Sequence, residues 1–146
     1  MAAISNFFNP NRKWAVDLAL FVLRAGTGLL LLPHGLGKLE AFDEKASTFY
    51  NFLNLGSEVS MGLTIFGELL CSILLTLGLG TRLVLIPLMI MMLVIVFGVH
   101  GEDPLGDKEH GLLYLLSYVT LFLTGPGRIS LDQLIFGKKQ TSQNSL

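Results

Sequence analysis

Charge is nearly absent from four stretches of this chain: Trp14–His34, Val59–Leu79, Leu83–His100 and Gly111–Gly125. A helix crossing a bilayer takes ~20 residues, so each stretch is read as a membrane-spanning helix. Leu83–Val99 carries no charge at all, with Pro87 near its start. The fourth stretch is shorter, but His110, Tyr114, Ser117 and Thr124 fall on one stripe of a helix, as expected of a span whose polar face points into a bundle. A re-entrant or interfacial helix is the competing reading. Gly78 and Gly80 mark a tight turn between the second and third stretches, and Pro126 and Gly127 stop the fourth. Ser130 is placed to cap a short amphipathic helix over Leu131–Phe136 at the membrane surface. Between the first two spans, Phe42, Ala46, Phe49, Tyr50 and Leu53 recur at helical spacing. The pattern predicts an amphipathic helix over Phe42–Leu55, lying across the mouth of the bundle.

Composition agrees. The 146 residues are 51% hydrophobic and 14% charged, against ~25% charged in soluble domains. The expected fold is an all-α transmembrane four-helix bundle. Residues 1–13 form an N-terminal segment, 14–136 the membrane domain, and 137–146 a polar, disordered tail. Arg12 and Lys13 before the first span resemble the start of a signal peptide. The apolar run is long, Arg24 interrupts it and no cleavage site follows, so it is read as a retained span. The net charge of −1 gives no basic surface for nucleic acid, and the single Cys71 excludes an internal disulfide or a CxxC pair.

Basic residues set an orientation. Arg12, Lys13, Arg82, Arg128, Lys138 and Lys139 fall on one side, and only Lys38, Lys45 and Lys108 on the other, among many acids. Lys and Arg favour the cytoplasm, so both termini are expected there, in the inner membrane.

Two charges lie where charge is costly. Arg24 and Glu68 sit in the middle of the first two spans, where each costs ~2.5–3.5 kcal/mol to insert. Both are expected near the midplane, paired across adjacent helices, with Gly26, Gly28 and Gly67 allowing close approach. The pair is either a structural ion pair or a proton relay. All the histidines fall on the outer side. His34, Lys38, His100, His110 and Tyr114 form a candidate pocket for a quinone or other small ligand, with water-satisfied interfacial histidines as the plainer reading. No HxxxH or HxxE spacing supports a metal. Arg82, Arg128 and Asp132 are expected to form a cytoplasmic latch, and Met89, Met91 and Met92 to pack.

The order of these polar residues resembles the DoxX family of small four-helix membrane proteins. The likeness rests on Arg24-x-Gly26, His34-Gly35-x-Gly37-Lys38, Gly67-Glu68, Gly78-x-Gly80-Thr81-Arg82 and Gly125-Pro126-Gly127-x-x-Ser130-Leu131-Asp132, and spans roughly residues 16–136. It implies membrane redox work, since relatives include membrane subunits of thiosulfate:quinone oxidoreductase, and also accessory roles. The chain lacks any flavin, haem or nicotinamide signature, so electron chemistry would need a bound quinone or a partner chain. Three functions stay open: a membrane subunit of a quinone-linked redox system, a non-enzymatic accessory or assembly subunit of a larger membrane complex, and a small transporter or proton-conducting element.

Overall fold

A computed structural model describes residues 13–137. The expected basic residues Arg12, Lys138 and Lys139 lie outside them, as do the predicted N-terminal segment up to residue 12 and the predicted polar tail from residue 138. The chain is helical, with no strand among the described residues. We label the helices α1 (Lys13–Glu40), α2 (Phe42–Lys45), α3 (Ser57–Leu77), α4 (Thr81–Val99), α5 (Leu105–Thr124) and α6 (Leu131–Phe136). Helices α1, α3 and α4 are long and apolar enough to cross a membrane. Helix α5 has 20 residues, but Asp107, Lys108 and Glu109 make its first turns polar. It packs along α4, while α3 packs against α1.

Polarity is arranged opposite to that of a water-soluble domain. Arg24, Glu68, Ser72 and Thr81 are at most 2% exposed, whereas Leu30, Leu83 and Leu123 are at least 65% exposed. Such a surface suits hydrocarbon, and the buried Arg24 and Glu68 are each met by partners inside the bundle. The main core is built from Leu75, Leu85, Leu88, Tyr118 and Leu121, each fully buried.

The α1–α3 contact depends on glycine, though not on the full set expected. A side chain at Gly28 would collide with Thr76 and the Ser72 carbonyl, and one at Gly35 with Leu69 and the Glu68 Cβ, 2.9 Å away. Gly26 meets nothing within 4 Å, and Gly67 faces Met91 on α4 instead. Gly28 and Gly35 lie seven residues apart, two turns along one face, so they set the close approach of α1 and α3.

Two expectations change. Phe42–Leu55 is not one amphipathic helix but α2 followed by the 3₁₀ turns Ala46–Thr48 and Phe52–Asn54. Polar side chains there satisfy the backbone and so compete with a helix. Asn51 Oδ1 accepts from the Gly56 amide, and Ser60 Oγ accepts from Phe52. Ala46, Phe42 and Phe49 still pack inward, onto Met61 and Ile65, but Leu53 is 76% exposed at a φ of 49°. On α5 the inward positions are Gly111, Tyr118 and Leu121, with Tyr114 half-buried beside them. Of the predicted polar stripe, Tyr114 and Ser117 are half-buried, whereas His110 and Thr124 are exposed.

Candidate functional site

The buried charges fall into two separate centres at opposite ends of the α1–α3 contact. The expected Arg24–Glu68 pair does not form. The ends of the apolar runs put the two charges at one level, but α1 extends over 28 residues, and its register against α3 is fixed by Gly28 and Gly35. Gly35 faces Glu68, eleven residues beyond Arg24 on α1. At the helical rise that is ~16 Å.

Arg24 closes one end of the fold. Its Nη1 donates to the carbonyls of Leu75 and Thr76, and Nη2 to that of Ile129 at 2.7 Å. The first two belong to the last turn of α3, at the negative end of the helix dipole; Leu75 O also accepts from the Gly78 amide. The guanidinium thus caps α3 and ties it to the segment after α5. Phe21 lies beneath it, its ring centre 5.7 Å from Cζ. Gly78 follows at φ 71°, and a Cβ there would strike both Arg24 and Ser130.

Asp132 completes this end with the opposite charge. Its Oδ1 and Oδ2 accept from the amides of Gly80 and Thr81 at 2.7 and 2.9 Å, at the N-terminus of α4. Asp132 also donates its own amide to the Gly78 carbonyl. A latch therefore exists here, but Asp132 holds backbone amides and not Arg82 or Arg128. Arg128 turns to Asp17 on α1, through its amide at 3.0 Å and Nε at 3.8 Å. Arg82 is exposed, with Nη2 near Gly125. Ser130 caps α6 as expected, its Oγ accepting from Gln133.

The second centre pairs Glu68 with Lys38. Lys38 Nζ lies 2.8 Å from both carboxylate oxygens. Glu68 is 3% exposed at its side chain and Lys38 29%. Glu68 occupies the π-helical turn Gly67–Cys71, a widened turn that shifts the ladder by one residue and recurs at functional sites. Lys38 reaches it from the last turns of α1.

Two cavities share Lys38. The smaller, ~460 Å³, adds His34, Gly37, Phe49 and Met61. The larger, ~630 Å³, lies between α3, α4 and the connection following α2. Its walls are largely apolar, including Phe66, Ile90, Met91 and Ile95, and it takes in Lys45 and His100. His100 Nδ1 is 2.8 Å from Asp103 Oδ2.

The predicted pocket residues are thus divided. Lys38 and His100 meet on one cavity, and His34 meets Lys38 on its neighbour. His110 is exposed and lines neither. Tyr114 packs against the core, its ring 5.9 Å from that of Tyr118. Sequence reasoning overlooked Tyr118, a fully buried tyrosine whose hydroxyl meets no partner among the described residues. The 111, 114, 118, 121 spacing on α5 was the available signal. It overlooked Asp103 as well, three residues after His100. Among the described residues no group of His, Cys, Asp and Glu is arranged to hold a metal ion.

A chain whose described residues are all helical or in turns, with three long apolar helices, lipid-suited faces and buried charges met by partners, is a membrane protein. Its family follows from comparison: the DoxX family profile matches residues 19–101. A Bacillus subtilis (strain 168) protein named "Putative oxidoreductase CatD" is 30% identical over 125 residues, covering 84% of this chain and 92% of that protein. This chain belongs to the DoxX family. No solved structure matches it significantly.

Proposed function

We propose that this protein is a multi-pass inner-membrane subunit of a quinone-linked redox system. The observation that carries the reading is the ~630 Å³ cavity, whose apolar walls converge on Lys38 and His100. Small-molecule sites are usually apolar chambers of ~300–1,000 Å³ with a few placed polar groups. A quinone matches that description, with a flat apolar body and carbonyl oxygens for an ammonium or imidazole. The oxidoreductase name of the B. subtilis relative supports the same class. Helix α5 is taken as the fourth crossing, which puts both termini in the cytoplasm, with the Arg24 and Asp132 centre on that side. The Lys38 cavities then open toward the outer face. Electrons would come from a partner chain.

The test is purification in a mild detergent, with mass spectrometry of co-purifying proteins and lipid-soluble molecules. Recovery of a quinone, depleted by Lys38→Met, supports the reading. Recovery in a stoichiometric complex that holds no quinone and tolerates alanine at Lys38 and His100 would favour an accessory subunit instead.

A further inference from the structure

The larger cavity carries two separate hydrogen-bonding devices. Each is an ion-pair partner held in place by a carboxylate. Lys38 Nζ is fixed by both oxygens of Glu68, itself almost fully buried. An ammonium has three N–H groups, so this arrangement leaves donor capacity for a ligand. His100 lines the cavity and is held by Asp103 at Nδ1, so Nε2 is the ring nitrogen outside that pair. That nitrogen donates when the ring is protonated and accepts when it is neutral. The two devices come from different elements: Lys38 from the end of α1, and His100 from the residue that ends α4. Lys45 is the other charged group on the cavity; it is exposed, and no carboxylate holds it.

We propose that the cavity binds a para-quinone at both ends, with one carbonyl oxygen on Lys38 Nζ and the other on His100 Nε2. The apolar walls between them take the ring and the start of its tail. Glu68 and Asp103 are positioning residues that touch the basic groups and not the ligand. The inference rests on the quinone reading above and goes beyond it by assigning each carbonyl its own partner. A ligand with a single polar head, such as a fatty acid, would use only one device.

Infrared difference spectroscopy separates these cases. The probe is a short-chain 1,4-naphthoquinone, ¹³C-labelled at one carbonyl so that the two stretching bands are distinct. It is added to the full-length protein in detergent micelles across a pH series, since a ring nitrogen opposite a paired Nδ1 donates only when the ring is protonated. Both bands should fall below their free positions in the wild type. His100→Gln should move one band back toward its free position and leave the other. Asp103→Asn should move that same band by less. Lys38→Met combined with Glu68→Gln, which strands no buried charge, should move only the other band. One variant moving both bands, or neither variant moving any, overturns the two-point assignment while binding persists. A wild-type protein that does not bind the naphthoquinone overturns the quinone reading itself. His100 and Asp103 are both partly exposed, so their variants report even if the double variant folds poorly.

Discussion

Lys38 and Glu68 should be energetically coupled, and Arg24 and Glu68 should not. Removing one partner of a buried ion pair strands the other and costs ~3–5 kcal/mol. Lys38 keeps 29% exposure at its side chain, so water screens it partly and the estimate drops to ~2–3 kcal/mol. Lys38→Met and Glu68→Leu should each lower stability by about that much. The double variant should recover most of one loss, giving a coupling of ~1–3 kcal/mol. Arg24→Met should itself be costly, because the carbonyls of Thr76 and Ile129 lose their donor at ~1–3 kcal/mol for each one left unsatisfied, while that of Leu75 keeps the Gly78 amide. Combined with Glu68→Leu its cost should simply add, since sites beyond ~7–10 Å without shared partners are independent. The assay is equilibrium unfolding in mixed detergent micelles, read as a double-mutant cycle for each pair. Additive losses for Lys38 and Glu68, together with coupling above about 1 kcal/mol for Arg24 and Glu68, would refute the two-centre arrangement.

Three further outcomes are expected. Asp132→Ala should cost ~1–2 kcal/mol, the usual value of a helix N-cap, whereas Arg82→Ala should stay within ~0.5 kcal/mol; thermal unfolding of the purified variants compares them. Gly28→Val should destabilise by ~1–3 kcal/mol through overpacking against Thr76, while Gly26→Ala should be neutral or stabilising, as size-exclusion profiles after graded heating would register. Reporter fusions after Gly56 and Asp103 should report the external side and a fusion after Lys139 the cytoplasm; an external C-terminus would mean that α5 does not cross.

Hydropathy alone located α1, α3 and α4, because the cost of burying backbone in lipid forces long uninterrupted apolar helices. Local chemistry also located the Gly78–Gly80 turn, the end of α5 and the Ser130 cap. Register was not legible. Arg24 and Glu68 are both buried, but at opposite ends of the α1–α3 contact and not at one shared level, because which residue each meets depends on how far α1 slides along α3. That offset is set by Gly28 and Gly35 against particular neighbours, which no periodicity encodes. The same gap explains the latch, where Asp132 found amides and not an arginine. Asn51 and Ser60 broke a pattern that read as one helix, because their side chains bond the backbone across several residues. The candidate site was half legible. Lys38 and His100 converge, while His110 faces outward because α5 turns its Gly111, Tyr118 face to the core.

The capping of α3 by Arg24 has a consequence for biosynthesis. A chain emerging from the ribosome presents Arg24 first, Leu75 and Thr76 some fifty residues later, and Ile129 only near the end. Until the α1–α3 hairpin closes, the first helix carries a lone cation that hydrocarbon disfavours. Insertion therefore favours retaining α1 beside the translocation machinery until α3 arrives. Final locking waits for the segment after α5. A nascent chain that stalls before Ile129 already holds α1, α3, α4 and α5 and yet lacks one of the three carbonyls that Arg24 meets.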